Sequence, residues 1–214
     1  MEMLAALLAR DLFLPVPDQF FVEISTKFAE ILPDTHKNLA QSSSQLAFGS
    51  KLMTSGFATW PLQRKISQQL HAKALAIFAF DAITLNPDRR TTNPNCLARG
   101  EELRIIDHEL CFMSDGIIGW KPPWELGGLN HMQSNDRHIF YNELKGRSEE
   151  LTRGLAQVQS AWSALHDARL QAYIKDIPPE WVDSAESLQN AIQFLQQARK
   201  NIGGCIQEIR RVLT

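Results

Sequence analysis

Nothing in this sequence builds a disulfide frame. Its cysteines, Cys96, Cys111 and Cys205, are odd in number and show no C-x-x-C spacing. That usage fits reduced thiols in a cytoplasmic protein and excludes the small disulfide-stapled class. Charge of one sign is missing too, the formal net charge being -2. Without a global basic field, no direct nucleic-acid or anionic-membrane partner is expected. Long apolar runs are absent. The N-terminal M-E-M-L-A-A-L-L-A-R-D reaches Arg10 and Asp11 too soon for a membrane span, and Glu2 stands where a secretory signal needs positive charge. Internal repeats and low-complexity tracts are lacking. His131 and His138 fall in no ligand spacing, so zinc is not expected. What is present, 44% hydrophobic and 21% charged residues over 214 positions, suffices for a sizeable core.

The apolar pattern sets the organisation. Apolar residues at 3, 4, 7, 8 and 12 make one helix face over residues 1–13, which Pro15 and Pro17 end. That helix lacks an N-cap residue, which is odd for one meant to pack into a core. Residues 20–24 and 46–53 read as strands. Gly49 in the second marks a bend or a close approach of backbone to a ligand. Residues 25–32 read as a brief helix stopped by Pro33, and the polar residues 34–45 as a surface loop. The longest helical pattern to that point covers residues 62–85 and is apolar nearly all round at 72–79, so it should be buried. Pro87 keeps it from continuing. Residues 112–132, carrying Gly116, Gly119, Gly127, Gly128, Pro122 and Pro123, read as an irregular loop of the length often reserved for function. Helices are expected over 136–144, 149–175 and 184–212, with a cap at Asp183 and Ser184 and a break at Gly203 and Gly204. The fold class is α+β, mostly α.

The chemistry concentrates where the buried helix ends. Asp88 is followed five positions later by Asn93. A hairpin pattern comes next, with apolar residues 96–98, the turn Arg99-Gly100-Glu101 and apolar residues 103–106; Asp107 ends it. An acid, an amide five residues on and a second acid after a strand is the form of the protein-kinase signature. Phosphoryl transfer needs positioning and cancellation of negative charge. One acid orients the acceptor hydroxyl, while an amide oxygen and a carboxylate hold Mg²⁺, a hard cation that prefers oxygen. The bland alternative is a plain turn, since Asn, Asp and Pro are turn residues. Several neighbours carry two readings each. Arg89 and Arg90 either contact phosphate or an acidic substrate, or pair with a carboxylate. His108 either orients Asp107 or is a packed histidine. Glu109 is a third metal-proximal acid or a solvated one. Asp81 is structural and holds the loop. Trp120, Trp124, Trp162 and Trp181 are packing residues, and Cys111 is inert if buried.

These residues resemble the HipA-like kinase family, a branch of the protein-kinase-like fold. F-D-A-I-T-L-N-P-D-R-R-T-T-N-P-N-C-L and L-R-I-I-D-H-E carry the resemblance, supported by L-L-A-R-D-L-F-L-P-V-P, F-G-S-K-L, D-R-H-I-F and I-P-P-E-W. The resemblance implies a remnant of the small N-lobe over residues 1–55 and a helical kinase-like C-lobe over 56–214. It implies ATP-dependent phosphorylation of a protein hydroxyl, sometimes within toxin–antitoxin modules. Asp88 would be the catalytic acid and Asn93 and Asp107 the Mg²⁺ ligands, with Phe48, Gly49, Ser50 and Lys51 near the nucleotide. A glycine-rich loop and a strand lysine are expected before the first helix and are not found, so the lysine that would pair with Glu2 is missing. A separate N-lobe polypeptide or antitoxin-type partner, a truncated reading frame and a non-catalytic pseudokinase that binds a partner each account for that. D-R-x-x-x-N followed by I-D also resembles phosphoinositide-kinase loops, which keeps a lipid or small-molecule kinase as a further alternative.

Overall fold

Helix α4 (Gln68–Ile83) is buried in the core, and three of the C-terminal helices pack on it. The computed structural model describes residues 1–54, 56–113, 119–133 and 137–214. Ser67 Oγ caps α4 by accepting from the Leu70 N–H at 3.2 Å. Leu70, Ala74, Leu75 and every residue from Ile77 to Ile83 are buried, as expected of a helix apolar all round. The helix is shorter than the apolar pattern. Pro61 and the cap at Ser67 leave residues 61–66 irregular, with Leu62 exposed and Ile66 buried.

Helix α1 (Glu2–Asp11) has no side-chain cap, yet Leu4, Leu7 and Leu8 are buried in the core. Tertiary packing therefore stabilises this helix more than its own termini do. Its C-terminus is a Schellman turn: Phe13 N–H donates to the Arg10 carbonyl at 3.0 Å and Leu14 N–H to the Ala9 carbonyl at 2.9 Å. The left-handed position that usually takes glycine is held by Phe13, at φ 58° and 92% exposed. A bulky side chain is strained there and buries almost nothing in return. Phe13→Gly is therefore expected to stabilise the fold by a few tenths to about 1 kcal/mol after the larger unfolded-state entropy of glycine is offset, and so to raise the unfolding midpoint. Urea denaturation of the two proteins measures it.

Strand β1 (Gln19–Glu23) is followed by α2 (Thr26–Glu30), α3 (Asp34–Ser42) and β2 (Leu46–Ser50). The helix α3 corrects the expected polar loop: the Pro33 carbonyl accepts from His36 and Lys37 and starts an exposed helix with no buried residue. Polarity set its exposure and did not forbid the helix. Strands β1 and β2 pair antiparallel with Phe21 opposite Phe48, and Trp181 anchors the ribbon by donating Nε1–H to the Leu46 carbonyl at 2.7 Å.

A second antiparallel sheet has the order β3 (Ala58–Thr59), β4 (Cys96–Arg99), β5 (Glu102–Ile105), which is the expected hairpin with one short strand added. C-terminal helices α5 (Tyr141–Leu144), α6 (Ser148–Ala164), α7 (Asp167–Asp176), α8 (Ala185–Lys200) and α9 (Ile202–Leu213) complete the larger layer. Three boundaries differ from the pattern. The helix expected from Asp136 begins at Tyr141, Asp136 itself lying outside the described residues. The pattern over 149–175 is two helices parted at Leu165 and His166. The last break falls at Asn201, not at the glycines, which lie inside α9. Gly204 is there for close packing: a Cβ would sit 2.6 Å from the Trp124 carbonyl oxygen. The side chains of Asp183 and Ser184, expected to cap, lie outside the described residues.

Candidate functional site

The C-terminus of α4 delivers a fully buried carboxylate. Asp81 accepts from Asn86 Nδ2 at 2.8 Å, from Arg89 Nε at 2.7 Å and from His138 Nε2 at 3.0 Å. His138 Nδ1 accepts from the Phe140 N–H at 3.1 Å, so Nε2 carries the proton it gives to Asp81. Burial alone would raise the Asp81 pKa, but the Arg89 charge and the His138 hydrogen bond overcome it and lower it to about 2. Burial keeps His138 neutral by lowering its pKa against the pull of Asp81. The structural reading of Asp81 holds, and His138 supports it with both ring nitrogens engaged.

Arg89 then ties the loop to the hairpin. Its NH1 donates to the carbonyls of Asn95 and Ile106, the latter at 3.1 Å, and the Ile106 N–H donates to the same Asn95 carbonyl at 3.1 Å. Residues 93–95 are thereby fixed against the end of β5, next to Asp107. The Arg89 side chain is wholly buried and is engaged with Asp81 and with these two carbonyls.

Asp88 sits at the mouth of this arrangement, half-buried. One oxygen, Oδ2, accepts from Asn93 Nδ2 at 2.7 Å and from Asn95 Nδ2 at 3.0 Å; Arg90 NH2 lies 3.3 Å from the other. Asn93 and Arg90 exchange both backbone hydrogen bonds at 3.0 Å, closing the loop. Asn93 gives its amide nitrogen to Asp88, which leaves its Oδ1 as the atom suited to a cation. Asp107 has φ 59°, a left-handed conformation sparsely used by aspartate and concentrated at functional sites. Burial raises its pKa, and the negative charges of Glu2 and Asp88 raise it further against the opposing pull of His108 and Arg89. The oxygen donors of Asp107 and Asn93 fit Mg²⁺. Among the described residues no three-residue His/Cys/Asp/Glu cluster is arranged to hold a metal, so water and phosphate would complete its shell.

His108 packs with its ring buried. Its backbone N–H donates to the Glu2 carboxylate, and its Nδ1 lies 3.2 Å from Glu2 Oε1. This joins the first turn of α1 to the residue beside Asp107. Of the residues expected near a nucleotide, Phe48 and Ser50 line a cavity with Glu2, Val16, Ile106 and His108. That cavity is about 10 Å³, room for one water and not for a purine. Gly49 and Lys51 lie elsewhere. A Cβ on Gly49 would meet Val22, and Lys51 Nζ pairs with Asp18 at 3.2 Å in solvent.

On the other side of the loop, Leu85 and Pro87 line a cavity of about 470 Å³ with Trp120, Lys121 and His131. Trp120 and Trp124 gather around Phe194 on the neighbouring helix, a packing role as expected. The cysteines are free, and burial pushes Cys96 up to about 12 and Cys111 higher still, so neither is a thiolate nucleophile at neutral pH.

Sequence reasoning missed Asn95, the second amide on Asp88, and the link from His108 to Glu2. The N-P-N triplet was the available signal for Asn95, which takes φ 43°. Comparison with known proteins agrees with the geometry: the HipA-like kinase family model matches residues 1–208. No curated protein and no solved structure matches the chain.

Proposed function

The chain belongs to the HipA-like kinase family, and from that premise we propose that it is an ATP- and Mg²⁺-dependent phosphotransferase acting on a serine or threonine hydroxyl of a protein. In this reading residues 1–55 are the small-lobe remnant and 56–214 the catalytic C-lobe. The observation that carries it is the loop itself. Asn93 and Asn95 fix one oxygen of Asp88, and Arg89 holds their segment against Asp107. Asp88 orients the acceptor hydroxyl and takes its proton. Asn93 Oδ1 and the Asp107 carboxylate hold the metal, whose charge, when bound, neutralises the transferring phosphoryl group. Arg90, 3.3 Å from Asp88 Oδ1, balances the base while no substrate is present.

One observation favours the non-catalytic alternative: the cavity beside Phe48 and Ser50 is too small for a nucleotide. Calorimetry with ATP and Mg²⁺ decides between them. Binding is expected with Mg²⁺, and chelation or Asp107→Ala should weaken it at least about tenfold, the size of effect that loss of a metal-binding group produces. No Mg²⁺-dependent binding, together with partner binding indifferent to Asp107→Ala, would establish a pseudokinase scaffold.

A further inference from the structure

Strand β1 leaves one edge of the first ribbon open. The Ile24 N–H donates to the Gln45 carbonyl at 2.7 Å, and the Lys51 N–H to the Asp18 carbonyl at 2.8 Å. By the alternation of an antiparallel ladder, Phe20 and Val22 then turn their backbone groups toward β2. The backbone N–H and C=O groups of Gln19, Phe21 and Glu23 point the other way. Among the described residues nothing pairs with those groups, and the sheet ends at β1.

The side chains leave the same edge uncovered. Phe20, Phe21 and Val22 are 50%, 47% and 45% exposed, although all three are strong β-formers. Natural sheet edges are blunted by lysine, proline or a covering element, but β1 holds neither residue and only Glu23 as a charge. A two-stranded ribbon is also marginal by itself. The opposite edge, on β2, is less suited to take a further strand. Its Leu46 carbonyl already accepts from Trp181, and Ala47 and Gly49 are weak β-formers.

The sequence of β1 says which strand fits. Set antiparallel against itself about its central residue, Q-F-F-V-E puts Phe21 opposite Phe21, Gln19 opposite Glu23 and Phe20 opposite Val22. In that register the outward backbone groups of Gln19, Phe21 and Glu23 meet only one another. An aromatic pair lies on the twofold axis, with an aromatic and a β-branched residue paired on either side of it. Each Glu23 carboxylate meets an amide and not its own copy. A twofold contact requires this kind of self-complementarity.

We propose that β1 pairs antiparallel with β1 of a second copy of this chain, joining the two ribbons into one four-stranded sheet of order β2-β1-β1-β2. The inference does not depend on the kinase reading.

Sedimentation velocity of the full chain from about 1 to 200 µM tests it, in the range where a contact smaller than a standard interface half-dissociates. The wild type should pass from monomer to dimer within that range. Phe21→Pro removes an N–H that β2 does not use, and both copies lose it, so the dissociation constant should rise at least about tenfold. Should Phe21→Pro not fold, a charge exchange on the exposed face decides. Phe20→Lys with Val22→Lys sets like charges opposite each other across the axis, and so does Phe20→Glu with Val22→Glu. Each of these proteins alone should stay monomeric, and their equimolar mixture should recover the dimer. A dimer that ignores a folded Phe21→Pro, or charged variants that do not recombine, overturns the proposal. A wild type that stays monomeric at 200 µM also overturns it, and leaves the edge to a strand of a different protein.

Discussion

Replacing Arg89 by methionine lowers the stability of the chain by about 3–5 kcal/mol, because it leaves a buried carboxylate without its cation. The Asp81 and Arg89 side chains both have no exposure to solvent. Once the guanidinium is gone, Asn86 and His138 still donate to Asp81, but neither carries a charge to offset its desolvation. The carbonyls of Asn95 and Ile106 lose a donor at the same time. For a chain of this size the melting temperature should fall by roughly 10 °C. A double variant, Asp81→Leu with Arg89→Met, removes both charges and should recover a large part of that loss. It should not recover phosphoryl transfer, since nothing then holds Asn93 and Asn95 against Asp107. The pH dependence follows from the depressed Asp81 pKa of about 2. A lowered folded-state pKa contributes stability that is fully present above the unfolded value near 3.8 and is lost as pH falls toward 2. Urea midpoints of the wild type should therefore drop between about pH 4 and pH 2, and Asp81→Asn should flatten that drop. Equal acid sensitivity in the two proteins would mean that the buried pair does not set acid stability.

How far the sequence spoke depends on whether a residue's role is local. Helix α4 was legible because a run apolar on every side has no place but a core. The hairpin was legible because its period and its Arg99-Gly100-Glu101 turn agree. Asp88, Asn93 and Asp107 could be chosen from spacing alone, and the structure brings Asn93 onto Asp88 directly. Long-range partners were not legible. Arg89 stood open between a phosphate contact and an ion pair, and only the burial of both it and Asp81 decides that. His138 looked like an unplaced histidine until the fold set it 57 positions away against Asp81. Boundaries failed where the pattern continued across a geometric break. The apolar period runs through Leu165 and Asn201, but an extended backbone at the first and a non-helical one at the second end the helices there. Helix α3 failed for the opposite reason, having no apolar face to announce it.

Asp88→Asn gives the largest functional effect, a fall of about 10²–10⁴ in the rate of phosphoryl transfer with the ATP–Mg²⁺ affinity held within about threefold. The two halves of that result come from two sets of atoms. Both amide hydrogen bonds of Asp88 arrive at the same oxygen, Oδ2. An asparagine with its carbonyl oxygen there accepts both and leaves the loop, Asn93 and the Asp107 side undisturbed. Its amide nitrogen then faces the Arg90 guanidinium, which was 3.3 Å from a carboxylate oxygen, and can take no proton from a hydroxyl. Proton acceptance is lost while the metal-holding atoms stay in place. Asp107→Asn should behave differently, losing nucleotide affinity and rate together, because it removes a charge that the metal needs. Steady-state kinetics with labelled ATP, calorimetry and melting curves on both variants separate these outcomes. If Asp88→Asn transfers phosphate at the wild-type rate, Asp88 is not the base. If it loses affinity in parallel with Asp107→Asn, the two acids act as one metal site, and the acceptor hydroxyl must be activated by some other group.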